Sequence, residues 1–324
     1  MHRSVVIVLV CIGLHLFSSC DSDEETAVVV SEIEWTRSIN NPVFRDLIPE
    51  ESYEIASDPH VFFDGSNTLQ MIYSGDENKR SSIKLATGTS WDNWSKSSSL
   101  LFETGPSNLD VYKETSFYRK TNTGVHQIYY IGYADEETYE AQIFLAEAAS
   151  LNGPYTQMAQ PVVAQGELAG KNVYCMTSPS VIEHEGLLYM TFIGWNAAPD
   201  DVTEVWIMGA TSSDDGRTWG DFQLVDARIG MEGQITKTPN DTFVAVRTAD
   251  YQDKEAIYYA TATHPFGPWT EEEAPILSQT DAILEKDEII APQITYDPQT
   301  NEQLLFYTGA DHLKGWWIML ASKK

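Results

Sequence analysis

The feature that most constrains the fold is a segment that recurs five times along the chain. Each copy has a short polar or proline-containing start, a strand, a turn and a second strand rich in aromatic residues. Repeats of this length are typical of propellers and solenoids, because each copy is one supersecondary unit that needs its neighbours to bury its apolar face. The copies begin 56, 64, 54 and 59 residues apart, at Asp58, Glu114, Ser178, Glu232 and Ala291.

Two further strands are predicted in most copies. A strand of small residues follows each hairpin, as at Leu85-Ala86-Thr87, and a turn such as Gly153-Pro154-Tyr155 leads to a fourth strand. Four antiparallel strands in each of five units predict an all-β, five-bladed β-propeller that occupies residues 31–324 as a single domain. The fifth unit reaches Lys324 after its third strand. We therefore predict that the segment Ile33–Thr36 supplies the missing outer strand and closes the ring.

A turn motif in the third unit supports this fold. The segment Ser212–Trp219 reads Ser-Ser-Asp-Asp-Gly-Arg-Thr-Trp and matches the Asp-box, which is known from sialidases and other propellers. We expect Asp214 to cap backbone amides, Gly216 to adopt a positive φ and Trp219 to insert into the blade. The motif is structural and lies on an outer hairpin, so it indicates the fold and carries little information on chemistry.

The N-terminal residues resemble a bacterial lipoprotein signal. A basic start, the apolar run Val5–Leu16 and Ser18-Ser19 lead directly to Cys20, and the apolar run is too short to span a bilayer. The resemblance implies cleavage of residues 1–19 and lipidation of Cys20 with a chain such as palmitate; an ordinary signal peptide stays an alternative. Residues 20–30 form an acidic tether that resembles the export signals of Bacteroidetes surface lipoproteins. We expect an envelope protein, anchored by its lipid to the outer membrane and exposed at the surface if this second resemblance holds.

Charge and cysteine content exclude several classes of function. The chain has 20 Lys and Arg against 48 Asp and Glu, a net charge of −28, whereas binding to nucleic acid requires clustered cations. The body of the chain contains a single cysteine, Cys175, which rules out a disulfide framework or a thiolate metal site and which we expect to be buried. The sequence shows no metal-binding cluster.

The starts of the five units are the candidate site. In a propeller the innermost strands all begin at one end of the central channel, so the residues at their starts converge. Three of the five starting residues, Asp58, Glu114 and Glu232, are carboxylates, which repel one another where they are desolvated. The alternative is that they are solvated loop acids in an acidic protein.

Asp58-Pro59 before a hydrophobic strand, together with Met231-Glu232-Gly233, resembles the five-bladed glycoside hydrolases of families 43, 32 and 117 and their relatives. The resemblance implies that Asp58 is a general base that activates water and that Glu232 is a general acid. It also implies a carbohydrate partner, no required cofactor, and a channel that can hold a cation such as calcium. We expect the protein to be a monomer.

Two positions depart from the pattern of family 43. Gln234 stands where the family has a proline after Glu-Gly, and Ser178-Pro179 stands where a third acid tunes and orients the general acid. We hypothesise that Glu114 replaces that acid, since a nearby carboxylate raises the pKa of Glu232. An inverting enzyme places its two carboxyl groups about 6.5 to 9.5 Å apart, on opposite sides of the scissile bond.

Further residues are candidates for substrate binding. Trp195 is a stacking platform or a core residue, and Arg247 either binds an anionic group of the substrate or forms a structural ion pair. His60 is a channel ligand or a substrate contact, depending on which side of its strand faces the sugar. The full set of substrate-binding candidates is His60, Ser178, Trp195, Asn196, Arg247 and Gln293.

Several functions remain open on the sequence. A glycosidase that acts by inversion is favoured by the two carboxylates, and a non-catalytic glycan-binding lipoprotein is favoured by the absent third acid. A sialidase would need three arginines around the substrate carboxylate, and few arginines of this chain lie near unit starts. A protein-interaction scaffold would not need converging acids. Relatives of the fold also include sugar phosphorylases and transferases, so the acceptor, water or phosphate, is left open.

Overall fold

The computed structural model describes residues 34–48, 53–64, 68–76, 80–97, 101–102, 108–198, 201–226 and 232–323. The chain divides into two units, residues 1–32 and 33–324. The signal, the acidic tether and Cys20 lie outside the described residues and stay predictions. In the described part of the chain, no helix has the length and apolarity needed to cross a membrane.

The described elements are almost entirely β-strands, so the all-β prediction is confirmed. Strands follow one another as antiparallel meanders, because each hairpin turn joins neighbours in the same sheet. The first sheet contains β3 (Tyr53–Phe63), β4 (Leu69–Asp76), β5 (Ser81–Ser90) and β6 (Asn93–Lys96). The second contains β7 (Tyr112–Lys120), β8 (His126–Tyr133), β9 (Gln142–Ala148) and β10 (Thr156–Gln157).

Three more groups of strands follow. The third sheet contains β13 (Cys175–His184), β14 (Leu187–Trp195), β15 (Val205–Ser212) and β16 (Gly220–Asp226). The fourth contains β17 (Gly233–Lys237), β18 (Phe243–Tyr251), β19 (Lys254–Ala262), β20 (Thr270–Glu271) and β21 (Leu277–Ser278). The fifth contains β22 (Glu288–Tyr296), β23 (Gln303–Asp311) and β24 (Gly315–Lys323). The other elements are β1 (Trp35–Arg37), β2 (Leu47–Ile48), β11 (Gly166–Leu168), β12 (Lys171–Val173) and a 3-10 helix, Ile283–Glu285.

The N-terminal strand completes the fifth group, as the sequence predicts. β1 pairs antiparallel with β24, with Trp35 opposite Lys323 and Arg37 opposite Ala321. On its other side, β24 makes a short parallel pairing with β3, in which Gly315 lies opposite Glu54. The first and fifth groups are therefore hydrogen-bonded into one nine-stranded sheet. Ring closure beyond these pairings stays a prediction.

The core lies between successive groups of strands. The first strands β3, β7, β13, β17 and β22 contact one another in chain order, and β22 also contacts β3. Buried apolar side chains cluster at each of these junctions, as where Ile72 of the first group packs with Tyr130 of the second. The junction between the third and fourth groups has the smallest cluster among the described residues, with Ile182, Ile235 and Phe243 at its centre.

An irregularity recurs near the start of the first strands. The register of β3, β7, β13 and β22 shifts at a bulge, and the bulged residue has a left-handed backbone. Since φ above zero is unfavourable for residues with a Cβ atom, its repetition marks a shared architecture. The bulged residues are Asp58 (φ 51°), Thr115 (φ 41°), Ser178 (φ 52°) and Ala291 (φ 50°).

The Asp-box has the predicted structure. Asp214 Oδ1 accepts hydrogen bonds from the backbone N–H groups of Arg217 and Thr218, at 3.2 and 3.0 Å. Gly216 has a φ of 78°, and the Trp219 indole donates to the Gly216 carbonyl oxygen at 2.9 Å. The Trp219 ring also packs against the core between the second and third groups. The motif therefore stabilises the turn of an outer hairpin, as expected.

Candidate active site

Asp58 lies at the bulge of β3 and is 7% exposed. Its backbone N–H donates to Thr308 Oγ1 at 3.0 Å, which ties the bulge to the fifth group of strands. The Ser57 hydroxyl donates to one carboxylate oxygen at 3.0 Å. Burial, followed by the negative charge of Glu114, raises the pKa of Asp58 to about 6, although hydrogen bonds from Ser74 and Ser57 act in the opposite direction. Asp58 is therefore an acid that changes charge near neutral pH.

Glu232 directly precedes β17. Its carbonyl oxygen accepts the Thr248 N–H at 2.7 Å, which fixes the backbone. Its carboxyl Oε2 is buried and has no hydrogen-bond partner among the described residues. Burial, followed by the charges of Asp58 and Glu114, raises the pKa of Glu232 well above its usual value. This carboxyl group therefore keeps its proton at pH values where an exposed glutamate is ionised.

Glu114 lies on β7 and accepts hydrogen bonds from two tyrosines. The hydroxyl of Tyr133 donates to Oε1 at 2.8 Å, and the hydroxyl of Tyr139 donates to Oε2 at 3.1 Å. The sequence predicts that Glu114 occupies the same position in its unit as Asp58 does in the first. The structure shifts this match by one residue, since Thr115 occupies the bulge. In the second unit no proline follows the bulged residue, so the sequence does not show where the bulge lies. Glu114 is the strand residue directly before the bulge.

The three carboxylates line one cavity of about 380 Å³. They come from three different groups of strands, as the sequence predicts for the starts of the units. Trp316 contributes an aromatic ring to the same cavity, and it is partly exposed. Two more acids, Asp76 and Glu136, lie in the lining, so the cavity is strongly acidic.

Trp316 and Tyr139 were missed by the sequence analysis. Trp316 lies on the third strand of its unit and reaches the cavity because β24 pairs with β3 at Ile55. Tyr139 lies in the turn between β8 and β9, outside the strand starts that the repeat pattern highlights. Two features of the sequence could have identified them: the adjacent tryptophans Trp316 and Trp317, and the position of Tyr139 within an acidic turn.

His60 lies two residues beyond Asp58 and is 5% exposed. Its Nδ1 is 3.2 Å from Gln234 Oε1, and its ring centroid is 4.3 Å from that of Phe117. Burial lowers the pKa of His60 to about 4, so the ring is neutral at physiological pH. His60 thus contacts residues of the second and fourth groups, as a channel residue would, and it does not belong to the lining of the acidic cavity.

Ser178 and Arg247 line a different, largely apolar cavity between the third and fourth groups. The Arg247 Nε and a terminal nitrogen donate to Glu271 Oε2 at 3.0 and 2.8 Å, and the guanidinium lies 4.9 Å from the Tyr258 ring. This is the structural ion pair that the sequence analysis held open for Arg247. The structure therefore does not bring Ser178 or Arg247 to the three carboxylates.

The other three substrate-binding candidates make structural contacts. Trp195 is 7% exposed and packs in the core between the second and third groups, which is the core role considered for it. Asn196 Oδ1 accepts the N–H groups of Thr203 and Glu204 and so closes a loop. Gln293 is 3% exposed, and its side chain bonds to both the N–H and the carbonyl oxygen of Val61. None of the three lines the acidic cavity.

Within the described ranges, no group of three His, Cys, Asp or Glu side chains is arranged to hold a metal ion. The channel cation implied by the resemblance stays an expectation. Cys175 is buried, as predicted, and burial raises its thiol pKa to about 12.

Known proteins resemble this chain in structure but not detectably in sequence. No family model matches it, and no curated protein matches it. A thermostable family-43 glycoside hydrolase has a TM-score of 0.62 at 15% identity, covering 82% of this chain and 88% of its own. A GH62 α-L-arabinofuranosidase catalytic domain from Coprinopsis cinerea has a TM-score of 0.65 at 13% identity, covering 90% and 97%.

The chain has the fold of the family-43 and family-62 glycoside hydrolases. A protein of another activity also resembles it. An N-acetylgalactosamine deacetylase from F. plautii, in complex with blood group B trisaccharide, has a TM-score of 0.64 at 12% identity and covers 86% of this chain and 93% of its own. At such identities the likeness establishes the fold, and the reaction has to be argued from the residues of the cavity.

Proposed function

We propose that this protein is a glycoside hydrolase that cleaves a glycosidic bond by inversion in the acidic cavity. The observation that carries the proposal is the convergence of Asp58, Glu114 and Glu232 from three groups of strands on one cavity. Glycoside hydrolysis needs two carboxyl groups in different protonation states. Burial and mutual repulsion raise the pKa of Asp58 to about 6 and that of Glu232 further above its usual value.

The catalytic roles of Asp58 and Glu232 follow from their raised pKa values. Glu232 donates its proton to the leaving oxygen as the bond between that oxygen and the anomeric carbon breaks. Asp58, ionised above about pH 6, accepts a proton from the water that attacks the anomeric carbon. The proton gained by Asp58 and the one lost by Glu232 are exchanged with solvent before the next turnover. Glu114 acts as the positioning residue whose negative charge helps to keep Glu232 protonated.

The cavity also suits a sugar substrate. Trp316 offers an aromatic surface beside polar and acidic groups, which is a common arrangement around a pyranose ring. The strongly acidic lining disfavours an anionic sugar at this position, because like charges repel in a partly desolvated cavity. A neutral poly- or oligosaccharide is therefore the substrate class.

The finer architecture belongs to the same proposal. The five groups of strands are the blades of a closed five-bladed propeller, with β1 as the outer strand of the last blade. The cyclic contacts of the first strands and the core cluster at each junction support this arrangement. The protein acts as a monomer, held at the cell envelope by a lipid on Cys20. The support for the anchor is the signal-like sequence before Cys20, and loss of palmitate labelling in Cys20→Ser tests it.

A second candidate function is a non-catalytic glycan-binding protein. It is favoured by Ser178, which stands where family 43 has its third acid and which lies outside the acidic cavity. The glycosidase remains the better supported function because Glu114 brings a third carboxylate to the cavity by another route.

The experiment that decides between them is glycan release by the purified protein from plant and algal oligosaccharides, compared with Asp58→Asn and Glu232→Gln. The matched control is Glu183→Gln, which changes an exposed acid on β13. Product that disappears in both active-site variants and persists in the control supports the glycosidase. Binding without product, in the parent and in all variants, supports the glycan-binding protein.

A further inference from the structure

A second cleft lies at the other end of the fourth and fifth groups of strands. It has a volume of about 510 Å³ and is lined by the β17–β18 turn and by the start of β23. Glu232 precedes β17, whereas the turn at residues 238–242 follows it. The five residues of β17 span about 16 Å at 3.3 Å per residue, and the two cavities share no lining residue. We call this site, formed chiefly by Tyr259, Tyr296, Gln303 and Lys323, the distal cleft.

Gln303 positions two tyrosine hydroxyls at the distal cleft. Its Nε2 donates to the hydroxyls of Tyr259 and Tyr296 at 3.1 and 2.9 Å. Its Oε1 is buried and has no hydrogen-bond partner among the described residues. Exchanging the amide oxygen and nitrogen leaves the nitrogen unpaired instead, so one end of the amide lacks a partner in either orientation. The amide therefore holds the two tyrosine hydroxyls in place at the cleft, while its own oxygen stays buried behind them.

The two tyrosines supply hydrogen-bonding hydroxyl groups at the cleft. Each hydroxyl accepts a hydrogen bond from Gln303 and keeps its own proton to donate. Burial raises the pKa of Tyr296 to about 12 and raises that of Tyr259 as well, so both remain protonated. Hydroxyl groups of a sugar both donate and accept, and they match such a set of groups.

The charges and the aromatic surface indicate a neutral ligand. The charged side chains among the described lining residues are Lys323 and Glu302, which have opposite signs. Lys323 Nζ lies 5.0 Å from the Tyr259 ring centroid and 3.9 Å from Glu272, so its charge is already partly balanced. The ring of Tyr296 is partly exposed at the cleft and offers a flat apolar face.

We infer that the distal cleft is a second carbohydrate-binding site, which holds neutral oligosaccharide chains without cleaving them. The two tyrosine hydroxyls and the aromatic face of Tyr296 form its contacts, and Gln303 holds both hydroxyls in place. The site goes beyond the proposed glycosidase activity, because it contains none of the three cavity carboxylates and binds whether or not the acidic cavity is catalytic.

Calorimetric titration with cellohexaose, xylohexaose and β-1,4-galactohexaose tests this inference on the Asp58→Asn protein, which is used to prevent turnover. We expect binding of at least one hexasaccharide at the distal cleft. Loss of the stacking ring in Tyr296→Ala raises the dissociation constant about tenfold or more. Tyr251→Ala is the matched control, since Tyr251 is 38% exposed at the opposite end of β18 and lies outside the cleft.

A second variant distinguishes loss of binding at the cleft from a folding defect in Tyr296→Ala. Asn240 is exposed in the β17–β18 turn, so Asn240→Trp fills the cleft without disturbing the core, and we expect it to weaken binding as Tyr296→Ala does. The inference is overturned if no hexasaccharide binds, or if binding is unchanged in both cleft variants. Absence of glycan cleavage by the parent protein would count against the glycosidase alone, since binding at the cleft is measured separately.

Discussion

Asp58→Asn is expected to stabilise the protein at alkaline pH while abolishing the proposed glycosidase activity. The buried carboxylate has a pKa of about 6 in the folded protein against 3.8 as an ordinary side chain. At 1.36 kcal/mol per pKa unit, ionised Asp58 costs about 3 kcal/mol of folding free energy above pH 6. Asparagine keeps the size of the side chain and carries no charge, so the variant avoids this cost.

The sign of the pH dependence follows from proton binding. Between pH 3.8 and about 6 the folded state holds a proton on Asp58 that the unfolded state has lost, so stability falls as pH rises through this window. Above pH 6 the cost is constant, and below 3.8 it vanishes. The stabilisation of Asp58→Asn is therefore full at pH 8 and fades towards pH 4. Glu232 has a raised pKa too, and it adds to the same trend.

Urea denaturation of the parent and of Asp58→Asn at pH 8 and pH 4 measures this difference. Asp46→Asn is the control, because Asp46 is buried and paired with Lys84 at 3.3 Å and Lys96 at 2.5 Å. That variant loses stability at pH 8, since it removes a buried carboxylate that forms ion pairs with two lysines. The reasoning is refuted if Asp58→Asn is less stable than the parent at pH 8, or if its gain is the same at both pH values.

Three further predictions concern the packing and reactivity of the fold. Gly315→Ala is expected to lower the melting temperature markedly in thermal denaturation, since its Cβ would lie 2.2 Å from the Glu54 carbonyl oxygen at a φ of 147°; an unchanged melting temperature contradicts this. Arg37→Met leaves the buried carboxylate of Glu285 without its ion pair at 2.7 Å, and we expect a loss of about 3 to 5 kcal/mol in urea denaturation. Cys175 should react with iodoacetamide only after unfolding, because burial raises its thiol pKa to about 12; peptide mapping of labelled native protein would show otherwise.

The sequence predicts the strand order because the repeat is encoded locally. Alternating apolar residues, a turn and an aromatic strand recur in every unit, and none of these signals depends on distant contacts. The pairing of Trp35–Arg37 with the last strand follows from the same pattern, since one unit lacks its outer strand. The convergence of Asp58, Glu114 and Glu232 is likewise a consequence of repeat geometry.

Side-chain surroundings and loop contributions are not encoded in the repeat, which is why the sequence leaves two roles open for Trp195 and for Arg247. Trp195 ends a strand at a position that the repeat suggests is open, yet neighbouring strands cover it. Arg247 lies at a unit's inner hairpin, and its partner Glu271 comes from an outer strand 24 residues away, which no local pattern reveals. Trp316 reaches the cavity from a third strand, and Tyr139 reaches Glu114 from a turn. Each of these outcomes depends on tertiary contacts.

The left-handed bulge in four first strands has an evolutionary consequence. Aspartate, threonine, serine and alanine occupy it with φ values between 41° and 52°, so the backbone geometry does not depend on the side chain. A single codon change at Ser178 or Ala291 therefore introduces a new functional group at an inner position while the bulge geometry stays as it is. Diversification of such a protein can proceed one unit at a time, with the unaltered units preserving the shape in which the new group acts.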